Sequence, residues 1–118
     1  MLQSEVIKEY AAENSCVVIG RCADYVLRDE ENLLRVFIYG DLEHRQARIA
    51  ERHPEIKSSQ IVDVINKTDK RRASYYNFYT GNKWGKFDNY DMAINSSTLG
   101  IDGAAELICA CVENLTSK

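Results

Sequence analysis

The chain has 118 residues, of which 28% are charged and 45% are hydrophobic, and its net charge is −3. This composition excludes a disordered tail and a collagenous repeat, and the length suits one domain spanning residues 1–118. No uncharged apolar run approaches the ~20 residues of a membrane span, and no signal core follows the N-terminus, so we expect a cytoplasmic protein without membrane contact.

The first predicted elements are a helix, a buried strand and a short helix. Apolar residues recur at helical spacing over 2–11, and Asn14 tolerates the left-handed conformation in which such a helix ends. The β-branched run Cys16–Ile19 predicts a strand buried on both faces, which Gly20 closes. A short helix over about residues 23–28 follows.

The next predicted elements are a second buried strand and two helices. The strand covers residues 33–39 and ends before Gly40. Asp41 is placed to cap a helix over about residues 42–53. Ser58 or Ser59 is placed to cap the longest helix, over about residues 60–79, which Gly81 ends.

The last predicted elements are a loop, a strand and a helix. Residues 82–89 are typical of a loop, residues 90–95 alternate as in a strand, and Asp102 is placed to cap the final helix. Strands alternating with helices predict an α/β fold with a parallel sheet and covering helices. Ligands bind such sheets beyond the carboxyl ends of the strands, which here are Gly20-Arg21, Gly40-Asp41 and Asn95-Ser96.

Positive charge is concentrated in one segment. Between Lys57 and Lys86 there are seven Lys or Arg residues and two acids, a charge of +5, which leaves −8 on the rest of the chain. A cationic element on an acidic body suits a polyanionic ligand better than a nucleic-acid coat. The four cysteines follow C-x5-C and C-x-C spacings instead of a zinc-type C-x2-C, so we expect buried reduced thiols and no metal site.

Two groups of charged residues have both a functional and an ordinary interpretation. Arg21 follows the glycine that closes the first strand, but Arg21 and Asp24 at i, i+3 also suit a weak surface ion pair. Arg45, Arg48 and Arg52 share one helix face, where they suit either a phosphate chain or solvent.

The third group lies in the longest helix and starts at Lys67-Thr68-Asp69-Lys70-Arg71-Arg72. Arg72 stands within an apolar stripe, so its side chain must extend to water, pair or bind a ligand. The aromatic residues that follow suit core or lid packing better than base stacking.

Several runs together resemble the cytidylate-kinase-like family of P-loop nucleoside monophosphate kinases. They are SCVVIGRCADYVL, LLRVFIYGDLEHRQARIAER, KTDKRRASYYNFYTGNKWG and YDMAINSSTLGIDGAAELI. The resemblance extends from about Val6 to Val112 and depends on the combination and order of these runs. It implies phosphoryl transfer from ATP, with Mg²⁺, to CMP or a similar monophosphate.

The resemblance also implies roles for individual residues. Arg21 is similar to the arginine that binds the acceptor phosphate, and Asp24 would lie near the acceptor nucleoside. The donor side and the lid, about residues 57–86, would supply the cations around the transferred phosphoryl group: Arg48, Arg52, Lys70, Arg71 and Arg72, with Lys67 assigned to substrate binding. Positioned positive charge is the main catalytic contribution in this chemistry.

Two departures from the family pattern limit these implications. Cys22 stands where cytidylate kinases have Asp, so a preference for cytosine is not implied. The chain contains no G-x4-G-K-[ST] loop, which in the family precedes the first matched residue. We therefore expect an incomplete three-layer P-loop kinase sheet with a helical lid, inactive alone.

In the family's sheet, the loop-bearing strand lies between the equivalents of Cys16–Ile19 and Val36–Tyr39. Without that strand, we expect a homo-oligomer or a partner chain to fill the gap. A non-catalytic module that binds nucleotide or protein is the alternative. Nucleic-acid binding is disfavoured by the acidic body.

Overall fold

Five helices and two short strands make up residues 2–116, the part of the chain that the computed structural model describes. In chain order they are α1 Leu2–Glu13, α2 Ala23–Val26, β1 Val36–Tyr39, α3 Leu42–Arg52, α4 Ile61–Thr80, β2 Met92–Asn95 and α5 Ser96–Thr116. Single 3-10 turns precede α4, at Ser58–Gln60, and β2, at Phe87–Asn89. Over the described residues, none of the helices has the length and apolarity to cross a bilayer.

The two strands form a parallel pair, with Val36 opposite Met92 and Tyr39 opposite Asn95. A bidentate ion pair supports the amino end of the pair, because Arg35 donates from Nε and Nη2 to the Asp91 carboxylate at 3.2 and 3.1 Å. Parallel strands need a long crossover, which here contains α3 and α4. The predicted mixed α/β architecture with a parallel sheet is confirmed.

The predicted boundaries of α3 and α4 are confirmed where a specific residue fixes them. Asp41 Oδ1 accepts a hydrogen bond from the His44 backbone N–H at 2.8 Å and so caps α3. Gly81 ends α4 with a φ of 72°, and its N–H donates to the Asn77 carbonyl at 3.0 Å. Glycine adopts this left-handed conformation without the penalty of a side chain.

The predicted strand at Cys16–Ile19 is wrong, because these residues form no ladder. Val17 and Ile19 are 92% and 88% exposed. An apolar β-branched run becomes a strand when a neighbour satisfies its backbone groups, and the described residues provide none here. Gly20, Arg21 and Cys22 follow with φ values of 70°, 59° and 55°, and this left-handed turn leads into α2.

Three predicted helix ends also differ from the structure. Gln60 lies at the N-terminus of α4 without a side-chain cap, because Ser58 and Ser59 belong to the preceding 3-10 turn. The last helix starts with a turn at Ser96 and is broken at Gly100, whose φ of 76° and ψ of 164° are not helical. Asp102 therefore lies in the first turn of the long segment that follows Gly100, and not at its cap. Asn14 ends α1 through its side-chain amide, which donates to the Tyr10 carbonyl at 3.0 Å, and not through a left-handed backbone.

The four cysteines are free thiols, but the prediction that they are buried is right for Cys22 alone. Cys16 and Cys109 are exposed, and Cys111 is half-buried. Burial, together with the nearby Asp24 carboxylate, raises the pKa of the Cys22 thiol. The Cys22 side chain is therefore a protonated packing group.

The core is small for a chain of this length. Its buried apolar residues are Cys22, Ala23, Leu27, Ile61, Ile65, Tyr76, Ile94 and Ala104. The accessible surface is 9103 Å², whereas a compact monomer of this mass exposes about 6,500 Å². The radius of gyration is 16.0 Å, against about 13.5 Å for a compact domain. The fold is open, and large apolar surfaces remain uncovered.

Candidate functional site

A cavity of about 770 Å³ lies where β1 ends, between α3, α4 and the start of α5. Its floor includes Gly40, Ser96 and Ser97, which directly follow the two strands. This is the position at which a parallel sheet presents its ligand site. Two of the three predicted strand ends, Gly40-Asp41 and Asn95-Ser96, therefore meet at one place.

Close packing of the two strand ends forms the floor of the cavity. Ser97 Oγ accepts a hydrogen bond from the Asp41 N–H at 2.9 Å, and Ser96 Oγ donates to the Tyr39 carbonyl at 3.1 Å. A Cβ atom at Gly40 would lie 2.9 Å from Ser97 Oγ, closer than ordinary contact. Glycine at this position therefore lets the start of α5 approach the end of β1.

Two predicted phosphate-binding arginines line the cavity from different helices. Arg48 belongs to α3 and Arg72 to α4, and both side chains are exposed. Neither makes an ion pair with a carboxylate within residues 2–116. Their guanidinium groups are available to an anion, and Arg72 reaches this position from within the apolar stripe of α4.

A bidentate ion pair connects the same two helices beside the cavity. Arg45 Nη1 and Nη2 donate to Asp69 Oδ2 and Oδ1 at 2.8 and 2.7 Å. The two side chains are 36% and 29% exposed, so the pair is partly shielded from water. The Asp69 hydrogen bonds raise the pKa of Arg45, which is charged at any physiological pH.

Aromatic residues form another part of the cavity wall. The Phe37 ring packs edge-on against Trp84, with ring centroids 5.4 Å apart, and lies 4.9 Å from the Tyr90 ring. The Trp84 backbone N–H donates to Asn77 Oδ1 at 2.7 Å, which attaches this loop to the end of α4. The cavity thus combines an apolar wall with cationic side chains, a combination that suits a nucleotide.

His44 adds an imidazole ring to the cavity wall at the beginning of α3. Its Nδ1 lies 2.7 Å from Asp41 Oδ1, and its ring lines the cavity. Hydrogen bonds from the His44 backbone and ring lower the pKa of Asp41. The lining residues Arg45, Arg48 and Arg72 outnumber the one acid there, Asp69. Among residues 2–116, no group of His, Cys, Asp and Glu could hold a metal.

Four of the predicted cations lie outside the cavity. Arg52, Lys70 and Arg71 are exposed on α3 and α4, and Lys67 pairs with Asp63 at 3.1 Å. In an α-helix, consecutive residues point about 100° apart, so Lys70, Arg71 and Arg72 diverge. Arg72 is the member of that run that lines the cavity.

The predicted acceptor residues are likewise separate from the cavity. Arg21 is exposed in the left-handed turn and borders a shallow depression of about 280 Å³ beside α1. Asp24 accepts a hydrogen bond from the Tyr76 hydroxyl at 2.8 Å and forms no ion pair with Arg21. Burial, followed by this bond to Asp24, raises the pKa of Tyr76, which remains a donor.

Sequence reasoning missed Trp84, Ser97 and His44 as lining residues. Ser97 follows a predicted strand end by two residues, and His44 lies three residues after the capping Asp41. Both were therefore accessible from the rule that places ligands at strand ends. Trp84 carried no comparable signal, because its position depends on how the loop after α4 folds back on β1.

Residues 1–98 match the family model described as the cytidylate kinase-like family. The chain belongs to that family. Among curated relatives, the cytidylate kinase of Archaeoglobus fulgidus is 32% identical over 106 residues, which cover 86% of this chain and 54% of that protein. The cytidylate kinase of Thermococcus kodakarensis is 25% identical over 108 residues, with 92% and 54% covered.

A solved structure also shares the fold of this chain. A crystal structure of an uncharacterized protein from Eubacterium ventriosum superimposes with a TM-score of 0.88 and 32% identity, over 95% of this chain and 63% of that one. The chain spans about half the length of the curated relatives that it matches. The family resemblance inferred from the four sequence runs is confirmed.

Proposed function

We propose that this chain is the phosphate-binding portion of a nucleoside monophosphate kinase, which transfers a phosphoryl group from ATP to CMP or a similar monophosphate. The proposal is carried by the placement of Arg48 and Arg72, which line one cavity from two helices at the carboxyl ends of parallel strands. Family membership makes phosphoryl transfer the chemistry to test first.

In this proposal Arg48 and Arg72 bind the phosphate chain of the nucleotide. Two planar guanidinium groups grip phosphate oxygens bidentately and neutralise the charge that develops in the transition state. Arg52 follows Arg48 by one turn of α3 and is assigned to the same phosphate chain of the MgATP substrate. Lys70 and Arg71 diverge from Arg72, so the phosphate contacts assigned to them require α4 to reorient when MgATP binds. Arg21, Asp24 and Lys67 are assigned to the acceptor monophosphate.

The same proposal makes these 118 residues inactive alone. They contain no glycine-rich loop whose backbone N–H groups would hold the β-phosphate, so the cations have no fixed triphosphate to close on. A coupled assay with ATP, Mg²⁺ and CMP is expected to show no turnover above background. Turnover at ordinary kinase rates, roughly 1–100 s⁻¹, would overturn this part of the proposal.

The fold in this proposal is one half of a three-layer P-loop sheet, which a further stretch of polypeptide completes, either from a longer form of the protein or from a second chain. Support comes from the edge of β1 that pairs with no other strand among residues 2–116 and from the apolar, exposed run Cys16–Ile19. The surface in excess of a compact monomer is about 2,600 Å², more than the ~800 Å² that one partner contributes to a standard interface. We propose a second copy of this chain as the first occupant to test, and a segment bearing the glycine-rich loop, in the same protein or in another chain, as the alternative.

A non-catalytic nucleotide-binding module is the second candidate function. Two observations favour it: these residues form a cationic cavity, and they contain no glycine-rich loop. Two measurements together separate the candidates. Calorimetric titration with ATP and CMP, alone and with added Mg²⁺, measures nucleotide binding, and the coupled assay measures turnover by the chain together with the polypeptide that completes the sheet. Binding without turnover in that complex supports the module and contradicts the kinase.

A further inference from the structure

The Arg45–Asp69 pair occupies a defined position relative to the two arginines of the cavity. Arg45 precedes Arg48 by three residues on α3, and Asp69 precedes Arg72 by three residues on α4. Residues at i and i+3 are neighbours on one helix face, about 4.5 Å apart along the axis. Each member of the pair therefore lies one helical turn from the cation that its own helix brings to the cavity.

The geometry of the pair restrains both helices. Two parallel N–H···O bonds at 2.7 and 2.8 Å fix the plane of the guanidinium against the carboxylate, which a single contact would not do. An isolated exposed ion pair contributes little, but a partly shielded bidentate pair holds a more defined geometry. Beside the cavity, this ion pair adds a directional polar contact to the packing of α3 against α4.

We infer that the Arg45–Asp69 pair is a positioning device, which sets the separation of Arg48 and Arg72 so that both reach one anionic phosphate chain. This inference rests on the proposed function, because it presupposes that the two arginines bind phosphate. Arg45 and Asp69 act through their neighbours and are not themselves phosphate ligands. This role accounts for an acid on the wall of an anion site, because Asp69 then holds α4 against α3 through Arg45.

The substitution Asp69→Asn distinguishes this role from simple electrostatics by the sign of its effect. Asparagine has nearly the same shape as aspartate, but it lacks the negative charge and cannot accept both hydrogen bonds from the Arg45 guanidinium. If Asp69 merely neutralises the cavity, its removal frees Arg45 and tightens the binding of an anion. If the pair positions the helices, D69N weakens the binding although the cavity becomes more positive.

The chain offers a matched control in the Arg35–Asp91 pair. It is also bidentate, its side chains are 34% and 37% exposed, and it lies at the opposite end of the strands from the cavity. Asp91→Asn removes the same charge and a comparable ion pair. Loss of general stability or a change in net charge would affect both variants equally.

The experiment measures the affinity of the full chain for inorganic tripolyphosphate at fixed ionic strength. D69N is expected to bind about tenfold more weakly than wild type, whereas D91N stays within about twofold. The double swap Arg45→Asp with Asp69→Arg rebuilds the pair in reverse and is expected to recover most of the lost affinity. Amide exchange along α3 is expected to accelerate in D69N and to remain unchanged there in D91N.

The outcomes separate the inference from the proposed function. Equal or tighter binding by D69N, or unchanged exchange in α3, would overturn the positioning role while leaving the phosphate site intact. Absence of tripolyphosphate binding in wild type and in both variants would overturn the phosphate site itself and, with it, the role of the pair.

Discussion

The Tyr76 hydroxyl donates a 2.8 Å hydrogen bond to the Asp24 carboxylate and thereby joins α4 to α2 across 52 residues of chain. Tyr76 is 6% exposed, and Asp24 is half-buried. The contact connects a residue of the lid helix with one assigned to the acceptor side. The bond attaches α2 to the middle of α4.

Removal of this hydroxyl is expected to destabilise the chain. Tyr76→Phe leaves the Asp24 carboxylate without its donor, and a hydrogen bond to a charged group contributes about 1.5–3 kcal/mol. We expect a loss of this size in the free energy of unfolding, measured by urea denaturation. Tyr79→Phe, on the same helix and 48% exposed, is the control and should change it by less than about 0.5 kcal/mol.

Gly40 should not tolerate a side chain. In Gly40→Ala the new Cβ would lie 2.9 Å from Ser97 Oγ, and rotation of Ser97 would break its hydrogen bond with the Asp41 N–H. We expect a loss of about 1–2 kcal/mol in the free energy of unfolding. In the double variant with Ser97→Ala, the effect of G40A should shrink; a fully additive result would contradict the proposed clash.

The two cavity arginines should contribute separately to the binding of ATP. Arg48→Gln and Arg72→Gln each remove one guanidinium from the phosphate chain, so each is expected to weaken binding about tenfold in calorimetric titration. Arg28→Gln is the charge-matched control, because Arg28 packs over the Tyr25 ring, outside the cavity. An equal loss in all three variants would indicate a general effect of net charge and would contradict the assigned site.

The exposed apolar run should determine self-association. Val17 and Ile19 are almost fully exposed, and the double substitution to serine is expected to convert an oligomer into a monomer in light scattering at micromolar concentration. Phe87→Ser is the control, because Phe87 is 80% exposed elsewhere in the chain. A monomeric wild-type chain would contradict the homo-oligomer.

The acid stability of the chain should depend on Asp91. Hydrogen bonds from Arg35 lower the pKa of Asp91 in the folded state below the pKa of about 3.9 that it has in the unfolded chain. The contribution of Asp91 to stability is therefore fully present above about pH 3.9, and it is lost as the pH falls through the lower pKa of the folded state. Asp91→Asn should be less stable at neutral pH, with a shallower loss of stability below about pH 4. Asp29→Asn, in the exposed turn after α2, should follow wild type.

Local signals in the sequence identified the elements that local chemistry determines. Asp41 and Gly81 were identified as the cap of α3 and the end of α4 because capping and left-handed conformations depend on single residues. Cys16–Ile19 was assigned wrongly because a strand exists through its neighbour, and composition alone does not reveal whether a neighbour is present.

The sequence predicted the candidate site only in part, as it did the fold. The presence of Arg48 and Arg72 on helix faces followed from spacing, but the divergence of Lys70 and Arg71 from Arg72 needed the orientation of α4. The Arg45–Asp69 pair joins residues 24 positions apart in different helices, so no periodicity within one element reveals it. Arg21 lies outside the cavity, because the left-handed turn and not a strand end positions it.

The parallel pairing of the strands constrains how the chain is made. Arg35 and Asp91, which bond at the amino end of the pair, are 56 positions apart. Closing a loop of that length costs about 3.5 kcal/mol of chain entropy before any ladder bond forms. During synthesis β1 leaves the ribosome before β2, so the edge of β1 that pairs with β2 remains unpaired until β2 has been made. During that interval a strand of another chain can pair with the exposed edge of β1. A chaperone that covers this edge would prevent such aggregation.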